Sequence, residues 1–147
     1  MKEPIYLWDE ETGCAICKIV DDDGREFVGI AMTHDTDKDF QSEKTGQTIA
    51  STRAAIKYLQ SVKRDILRPQ LAALKQLYYS INRSKQYNKK SYEARMLWRQ
   101  IKIKEEDINS INIEIEKYKT FLRQFIADKE AFYIATRKRR QQQGETD

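Results

Sequence analysis

The sequence predicts an α+β protein, in which a small N-terminal antiparallel β-sheet is followed by a long two-helix coiled-coil hairpin. The evidence is short apolar runs separated by glycine-containing turns near the N-terminus, and apolar spacings of three and four over most of the rest. The 147 residues are 34% charged and 39% apolar, which suits helices that each bury a stripe. We expect a sheet and connecting loop in residues 1–47, the hairpin in 48–136, and a charged flexible tail in 137–147.

The N-terminal segment contains three short apolar runs that we interpret as strands. They are Ile5 to Trp8, Ala15 to Val20 and Glu26 to Met32. The connections contain Gly13 and Gly24, and glycine supplies the positive φ that tight reversals require. Because a three-stranded meander alone is only marginally stable, one of its faces must cover another element. Residues 33–47 are polar and rich in turn formers, so we expect a loop there.

The first predicted helix extends from about Thr48 to Asn82. Its apolar positions are Ile49, Ile56, Leu59, Val62, Ile66, Leu67, Leu71, Leu74, Leu77, Tyr78 and Ile81. Pro69 removes an amide donor and crowds the preceding turn, so we expect a kink or short break near Arg68. The polar residues 83–90 then close the hairpin, and Asn88 or Ser91 can cap the next helix.

The second predicted helix has the most regular pattern in the chain. Its seam residues are Ala94, Leu97, Ile101, Ile108, Ile111, Ile115, Tyr118, Leu122, Phe125 and Phe132. They alternate at three and four residues, with Lys104 and Lys129 as polar exceptions, which is a heptad repeat. A helix of some 45 residues spans about 65 Å at 1.5 Å per residue. A compact domain of 17.4 kDa needs less length, so we expect part of the seam to meet another protomer.

The net charge of +4 hides a steep asymmetry along the chain. Residues 1–50 contain 12 acidic and 5 basic side chains, whereas residues 51–147 contain 11 acidic and 22 basic ones. From Arg53 to Lys104 there are 14 basic residues against only Asp65 and Glu93. Such a field attracts phosphates or an acidic protein surface. Extended nucleic-acid binders are usually basic across their surface, so the acidic N-terminal third favours a compact anionic ligand.

Residues that could support catalysis or metal binding are few. Cys14 and Cys17 form a C-x-x-C pattern, but a zinc site takes four ligands and the chain adds only His34. Because residues i and i+3 of a strand point to opposite faces, we expect two reduced cysteines rather than a redox pair. No motif assembles a nucleophile, a base and an orienting group. We therefore expect a protein that is not an enzyme and that uses no metal and no cofactor.

Residues 74–101 interleave aromatic and basic side chains. The aromatic members are Tyr78, Tyr79, Tyr87, Tyr92 and Trp98, and the basic members are Arg83, Lys85, Lys89, Lys90, Arg95 and Arg99. Aromatic rings stack on bases, and guanidinium groups bind phosphates bidentately. Arg95 and Arg99 are four residues apart and share a helical face, so both can reach one pyrophosphate. The alternative is an ordinary solvated helix face with half-buried tyrosines, against which the concentration of charge favours a ligand.

These features resemble the first-described type of Thoeris anti-defence protein, a phage-encoded sponge. The likeness covers most of residues 5–130 and includes the stretches SEKTG from Ser42, LKQLYYSINRSK from Leu74 and KSYEARML from Lys90. It implies a non-enzymatic assembly, a hexamer built from dimers, that binds cyclic ADP-ribose isomers made by host TIR-domain proteins and holds them without cleavage. Some members also bind cyclic oligonucleotides at a second site.

The resemblance also implies a set of ligand-binding residues at subunit interfaces. In this family an aromatic ring and an asparagine of the helical hairpin contact the adenine, and arginines contact the phosphates. The matching residues here are Tyr78, Tyr79 or Tyr87 for the ring, Asn82 or Asn88 for the amide, and Arg95, Arg99 and Arg53 for the phosphates. The ligand would be a cyclic nucleotide of the glycocyclic ADP-ribose class.

Two other functions fit the same sequence. One is a coiled-coil adaptor or inhibitor that occludes a host protein through the seam and the basic face, and the other is a nucleic-acid-binding protein. The chain has no run of about 18 apolar residues and no charged-then-apolar leader. We therefore expect no membrane association and a location in the host cell cytoplasm.

Overall fold

The computed structural model of the chain describes residues 3–33, 35–83 and 92–146, and it has the α+β organisation that the sequence predicts. The elements are β1 (Ile5–Asp9), β2 (Cys14–Val20), β3 (Glu26–Met32), a 3-10 helix (Asp35–Phe40), α1 (Glu43–Ser61), a π-helix (Val62–Leu67), α2 (Arg68–Arg83) and α3 (Tyr92–Thr146). The chain divides into two compact units. Unit 1 consists of Met1–Tyr58 and Lys117–Asp147, and unit 2 is Leu59–Glu116.

The sheet is an antiparallel meander in the order β1-β2-β3, as the sequence predicts. Its turns contain Gly13 and Gly24 with φ of 66° and 82°, the left-handed region that favours glycine. The carboxylate of Asp21 closes the second turn, since it accepts hydrogen bonds from the backbone N–H groups of Asp23 and Arg25 and from the Arg25 guanidinium. Burial by itself raises the pKa of Asp21, but these hydrogen bonds outweigh it and hold that pKa below its usual value.

Helix α1 covers one face of the sheet through very small side chains. Ala50 and Ala54 are fully buried and lie four residues apart, on one side of the helix. They face Gly29 of β3, where an added Cβ would lie 1.9 Å from the Ala50 carbonyl oxygen and 2.6 Å from the Ala54 nitrogen. The helix backbone therefore approaches the strand so closely that position 29 requires glycine.

The outer edge of β3 is covered by two cations of α1. Arg53 donates from Nη1 to the Ile30 carbonyl and Lys57 donates from Nζ to the Val28 carbonyl, each at 2.7 Å. Carbonyls two residues apart in a strand point to the same edge, and the four-residue spacing of the cations on α1 matches them. These contacts occupy acceptors through which an edge strand could pair with another strand.

The prediction of a loop at residues 33–47 is wrong, since much of this segment is helical. A 3-10 helix spans Asp35–Phe40 and α1 begins at Glu43, five residues before the predicted start at Thr48. Ser42 caps the helix, because its Oγ accepts a hydrogen bond from the Thr45 N–H and its carbonyl accepts one from the Gly46 N–H. This polar capping sequence resembles a loop in composition, although it begins the helix.

The irregularity expected near Arg68 is a π-helix that ends at the residue before it. Arg68 has helical dihedral angles, φ −63° and ψ −45°, whereas Val62–Leu67 form a π-helix. The Arg68 N–H bonds to the carbonyl of Lys63, five residues back, as in a π-helix. A proline ring excludes the carbonyl four residues before it, which here belongs to Asp65, so the ring's effect falls within the π-helix.

The predicted flexible tail is helical, since α3 continues to Thr146. In unit 1 its C-terminal part is held by the 3-10 helix: Arg137 pairs with Asp37, and Arg140 lies 3.8 Å from the Asp39 carboxylate. Phe40 stacks on Tyr133 with ring centroids 4.5 Å apart. Charged residues without a helical repeat are thus ordered by tertiary contacts.

The predicted seam residue Phe132 is 54% exposed, whereas its neighbour Tyr133 is half-buried against Phe40. A straight α-helix drifts by about 20° per heptad relative to a strict seven-residue repeat. Over five repeats this drift moves the buried side of α3 away from the predicted seam.

Substitution of Gly29 by alanine tests the close packing of α1 on β3. A methyl group in a strand normally gains about 0.5–1 kcal/mol over glycine, but here it overlaps backbone atoms that cannot rotate away. Overpacking of this kind lowers the free energy of unfolding by about 1–3 kcal/mol, measurable by urea denaturation. Gly144→Ala is the control, because nothing lies within 4 Å of that added Cβ. Equal stability of Gly29→Ala and the wild type would contradict the packing.

Candidate functional site

Helix α2 and the first part of α3 run antiparallel within unit 2. Lys63 of the π-helix donates to the side-chain Oδ1 of Asn112 at 2.9 Å. Tyr78, fifteen residues after Lys63, contacts Trp98, which lies fourteen residues before Asn112. Ala94, Ile101 and Ile115 are the buried side chains of α3 in this unit, which the predicted seam contains. This packing brings the aromatic and basic residues of the two helices to one place.

An aromatic cluster lies between α2 and α3, and we call Tyr78, Tyr79, Trp98 and Lys102 the Trp98 cluster. The Tyr78 and Trp98 ring centroids are 5.5 Å apart with the planes at 40°, and Tyr79 contacts Tyr78 edge-on at 5.9 Å. The Lys102 ammonium lies 4.4 Å from the Trp98 ring centroid, within the range of a cation–π interaction. Trp98 is 47% exposed and Tyr79 55%, so the cluster is open to a planar ligand.

Asn82 is one turn after Tyr78 on α2 and has an unusual environment. Its Oδ1 atom is buried and has no hydrogen-bond partner among residues 3–33, 35–83 and 92–146. Such an acceptor has lost its water without gaining a donor, which costs roughly 1–3 kcal/mol. A donor from a bound molecule would recover this free energy.

Arg95 and Arg99 are on α3 beside the cluster. Both are exposed, and together with Lys102 they fall within about 60° on a helical wheel, with Trp98 between this basic side and the buried side. Neither arginine forms an ion pair with another of the residues 3–33, 35–83 and 92–146. Their charges are available to an anion that lies over the Trp98 ring.

No family model, curated protein or solved structure matches this chain.

A separate cavity of about 200 Å³ lies in unit 1, where the N-terminal turn of α1 meets β3 and the second half of α3. Arg53 lines it together with Thr33, Ser42, Lys129 and Tyr133. Burial, with a smaller contribution from the nearby Asp37 charge, raises the pKa of Tyr133. Arg53 already donates to the Ile30 carbonyl, so its first role is to hold the sheet edge.

Five of the eight site residues predicted from the sequence lie in unit 2 and are described by the structure. These are Tyr78, Tyr79, Asn82, Arg95 and Arg99. Arg53 belongs to unit 1, and the predicted residues Tyr87 and Asn88 lie outside the described residues. Trp98 and Lys102 were not predicted as site residues, although their four-residue spacing places an ammonium over an aromatic ring on one helical face.

The two cysteines occupy opposite faces of β2, as their spacing predicts. Cys17 is fully buried under α1, and burial raises the pKa of its thiol, whereas Cys14 is half-buried on the other face; both are free. The described part of the chain contains no group of three or more His, Cys, Asp or Glu side chains positioned to hold a metal ion. In the same residues, no helix combines the length and the apolar character needed to cross a membrane.

We expect native protein to react with iodoacetamide at Cys14 at least ten times faster than at Cys17. The thiolate is the reactive form of cysteine, and burial both shields the Cys17 thiol and raises its pKa. Peptide mass spectrometry after short labelling measures the two rates, and labelling in urea should make them similar. Equal rates in the native protein would mean that α1 does not cover Cys17.

Proposed function

We propose that this protein binds a cyclic nucleotide of the glycocyclic ADP-ribose class and holds it without cleavage. It would act as a phage sponge that blocks host TIR-based Thoeris immunity from the host cytoplasm. The observation that supports the proposal best is the buried Oδ1 of Asn82, which has no partner among the described residues and lies one helical turn after Tyr78 of the Trp98 cluster. The exposed aromatic rings suit the stacking of an adenine base, and the Asn82 Oδ1 acceptor suits the exocyclic amine of that base.

The chemistry of each part fits a part of such a ligand. Stacking of a base on an aromatic side chain contributes about 1–3 kcal/mol. Asparagine pairs with adenine through its amide, in which the Oδ1 atom accepts from the exocyclic amine. Arg95 and Arg99 supply charge-assisted hydrogen bonds for two phosphates. A dissociation constant near 10 nM requires about 11 kcal/mol, which several such contacts together can supply.

The same proposal includes a homo-oligomer, a hexamer in which the heptad residues of α3 act as a coiled-coil seam between copies. Sequestration requires tight binding and no general base. Heat denaturation of the loaded protein should therefore release an intact cyclic nucleotide, detectable by mass spectrometry. A hydrolysed product would contradict sequestration, and absorbance of oligonucleotides at 260 nm would favour the nucleic-acid alternative.

Arg95→Ala and Arg99→Ala should each weaken the binding of glycocyclic ADP-ribose about ten- to a hundredfold, since a charge-assisted hydrogen bond contributes roughly 1.5–3 kcal/mol. Isothermal titration calorimetry measures the change, and the melting temperature should stay the same because exposed arginines add little stability. Lys138→Ala, an exposed basic residue elsewhere on α3, is the control. Equal and small losses in all three variants would favour a general field, and with it the adaptor or nucleic-acid alternative.

Asn82→Leu tests the base contact separately from the phosphates. Wild-type protein should prefer glycocyclic ADP-ribose to its hypoxanthine analogue, which lacks the exocyclic amine, and Asn82→Leu should lose this preference. The variant removes a buried acceptor that has no partner among the described residues, so its free energy of unfolding should be unchanged or higher. An undiminished preference in Asn82→Leu would place the base elsewhere.

A further inference from the structure

The sheet has a second face that α1 does not cover. Directly paired residues of antiparallel strands point to the same face. Since Ala15, Cys17 and Ile19 are buried towards α1, the alternate residues of β2 and their partners form the other face. We call this the open face, and the three of its rows that cross all three strands are Ile5–Lys18–Val28, Leu7–Ile16–Ile30 and Asp9–Cys14–Met32.

The open face carries large apolar side chains. Ile5, Leu7, Ile30 and Met32 are 48%, 59%, 47% and 70% exposed. The face towards α1 has alanines, a cysteine and a glycine at its centre, with Trp8 and Phe27 packed beside them. A half-solvated antiparallel sheet normally alternates apolar and polar residues, whereas strands covered on both faces are continuous apolar runs. The three strands here are of the second kind, so their pattern requires a cover for the open face.

The charges of the open face make it complementary to itself. Lys18 lies in the row on one side of the central apolar row, and Asp9 lies in the row on the other side. A two-fold axis along the central row exchanges the two outer rows. Lys18 of each copy then lies beside Asp9 of the other, one strand spacing away, while the apolar central rows meet. Lys18 is 3.3 Å from Glu26 within its own chain, and an ammonium has donors for a second carboxylate.

We propose that the open face is an interface with a second copy of this chain, in which two sheets pack face to face about a two-fold axis along Leu7–Ile16–Ile30. Sheets packed in this way lie about 10 Å apart with interdigitating side chains. The interface rests on the sheet of unit 1, and it is independent of the ligand proposed for unit 2. This contact surface lies on the sheet and includes none of the heptad residues of α3.

The arrangement has a consequence that distinguishes it from other interfaces. Because the axis follows the central row, each Leu7 meets the Leu7 of the other copy, and each Ile30 meets the other Ile30. A charge introduced at Leu7 therefore faces an identical charge and separates the copies. Two opposite charges introduced into two different batches of protein should attract each other.

The experiment compares Leu7→Glu, Leu7→Lys and a one-to-one mixture of the two by sedimentation velocity at neutral pH. We expect each variant alone to associate at least tenfold more weakly than the wild type, with at least a twofold lower molar mass. The mixture should regain the wild-type mass. Circular dichroism checks that each variant is folded, and Ile30→Glu with Ile30→Lys repeats the test if the Leu7 variants do not fold.

Ile113→Glu is the matched control, because Ile113 of α3 is 58% exposed and Leu7 is 59% exposed. It should leave the molar mass unchanged. Three outcomes would overturn the proposal: a wild-type protein that is monomeric at micromolar concentration, single Leu7 variants that associate like the wild type, or a mixture that stays dissociated. Dissociation by Ile113→Glu without dissociation by Leu7→Glu would place the interface on α3 and overturn it as well.

Discussion

The close approach of helix α1 to the sheet is the constraint on which the rest of unit 1 depends. Gly29, Ala50 and Ala54 leave no space for a larger side chain, so helix and strand backbones lie nearly in contact. At that distance Arg53 and Lys57 reach the outer carbonyls of β3 and cover its edge. Helix α1 covers only this face of the sheet, so apolar side chains of the opposite face, among them Leu7 and Met32, stay exposed.

The charged residues behind the steep charge asymmetry of the sequence have different environments in the two units. In unit 1 the acidic residues of the 3-10 helix pair with Arg137 and Arg140, and these contacts order the end of α3. In unit 2 the basic residues Arg95 and Arg99 remain exposed beside an aromatic cluster. Paired charges near a surface contribute little to stability, whereas charges that remain available can bind an anion strongly. The ligand proposed for unit 2 depends on these exposed arginines.

The two proposals depend on different physical deficits. Asn82 has a buried acceptor without a donor in the described residues, and a bound base would supply one. The open face has apolar side chains without a cover, and a second copy would supply it. Both proposals therefore concern binding, of a base at Asn82 and of a second copy at the open face.

The sequence by itself determined the elements whose signals are local: the three strands with glycine at their turns, the two helical regions with their three-and-four spacing, the opposite faces of Cys14 and Cys17, and a shared helical face for Arg95 and Arg99. It did not determine that α1 begins at Glu43 or that α3 stays helical beyond residue 137, because a cap and distant ion pairs decide these ends.

Only the tertiary structure brought Trp98 to Tyr78, since the register between two helices depends on the side chains packed along their whole contact. It also decided which strand face is covered. The alternation of residues assigns them to two faces, but only the fit of α1 against Gly29 selects the face that the helix covers and leaves the other open.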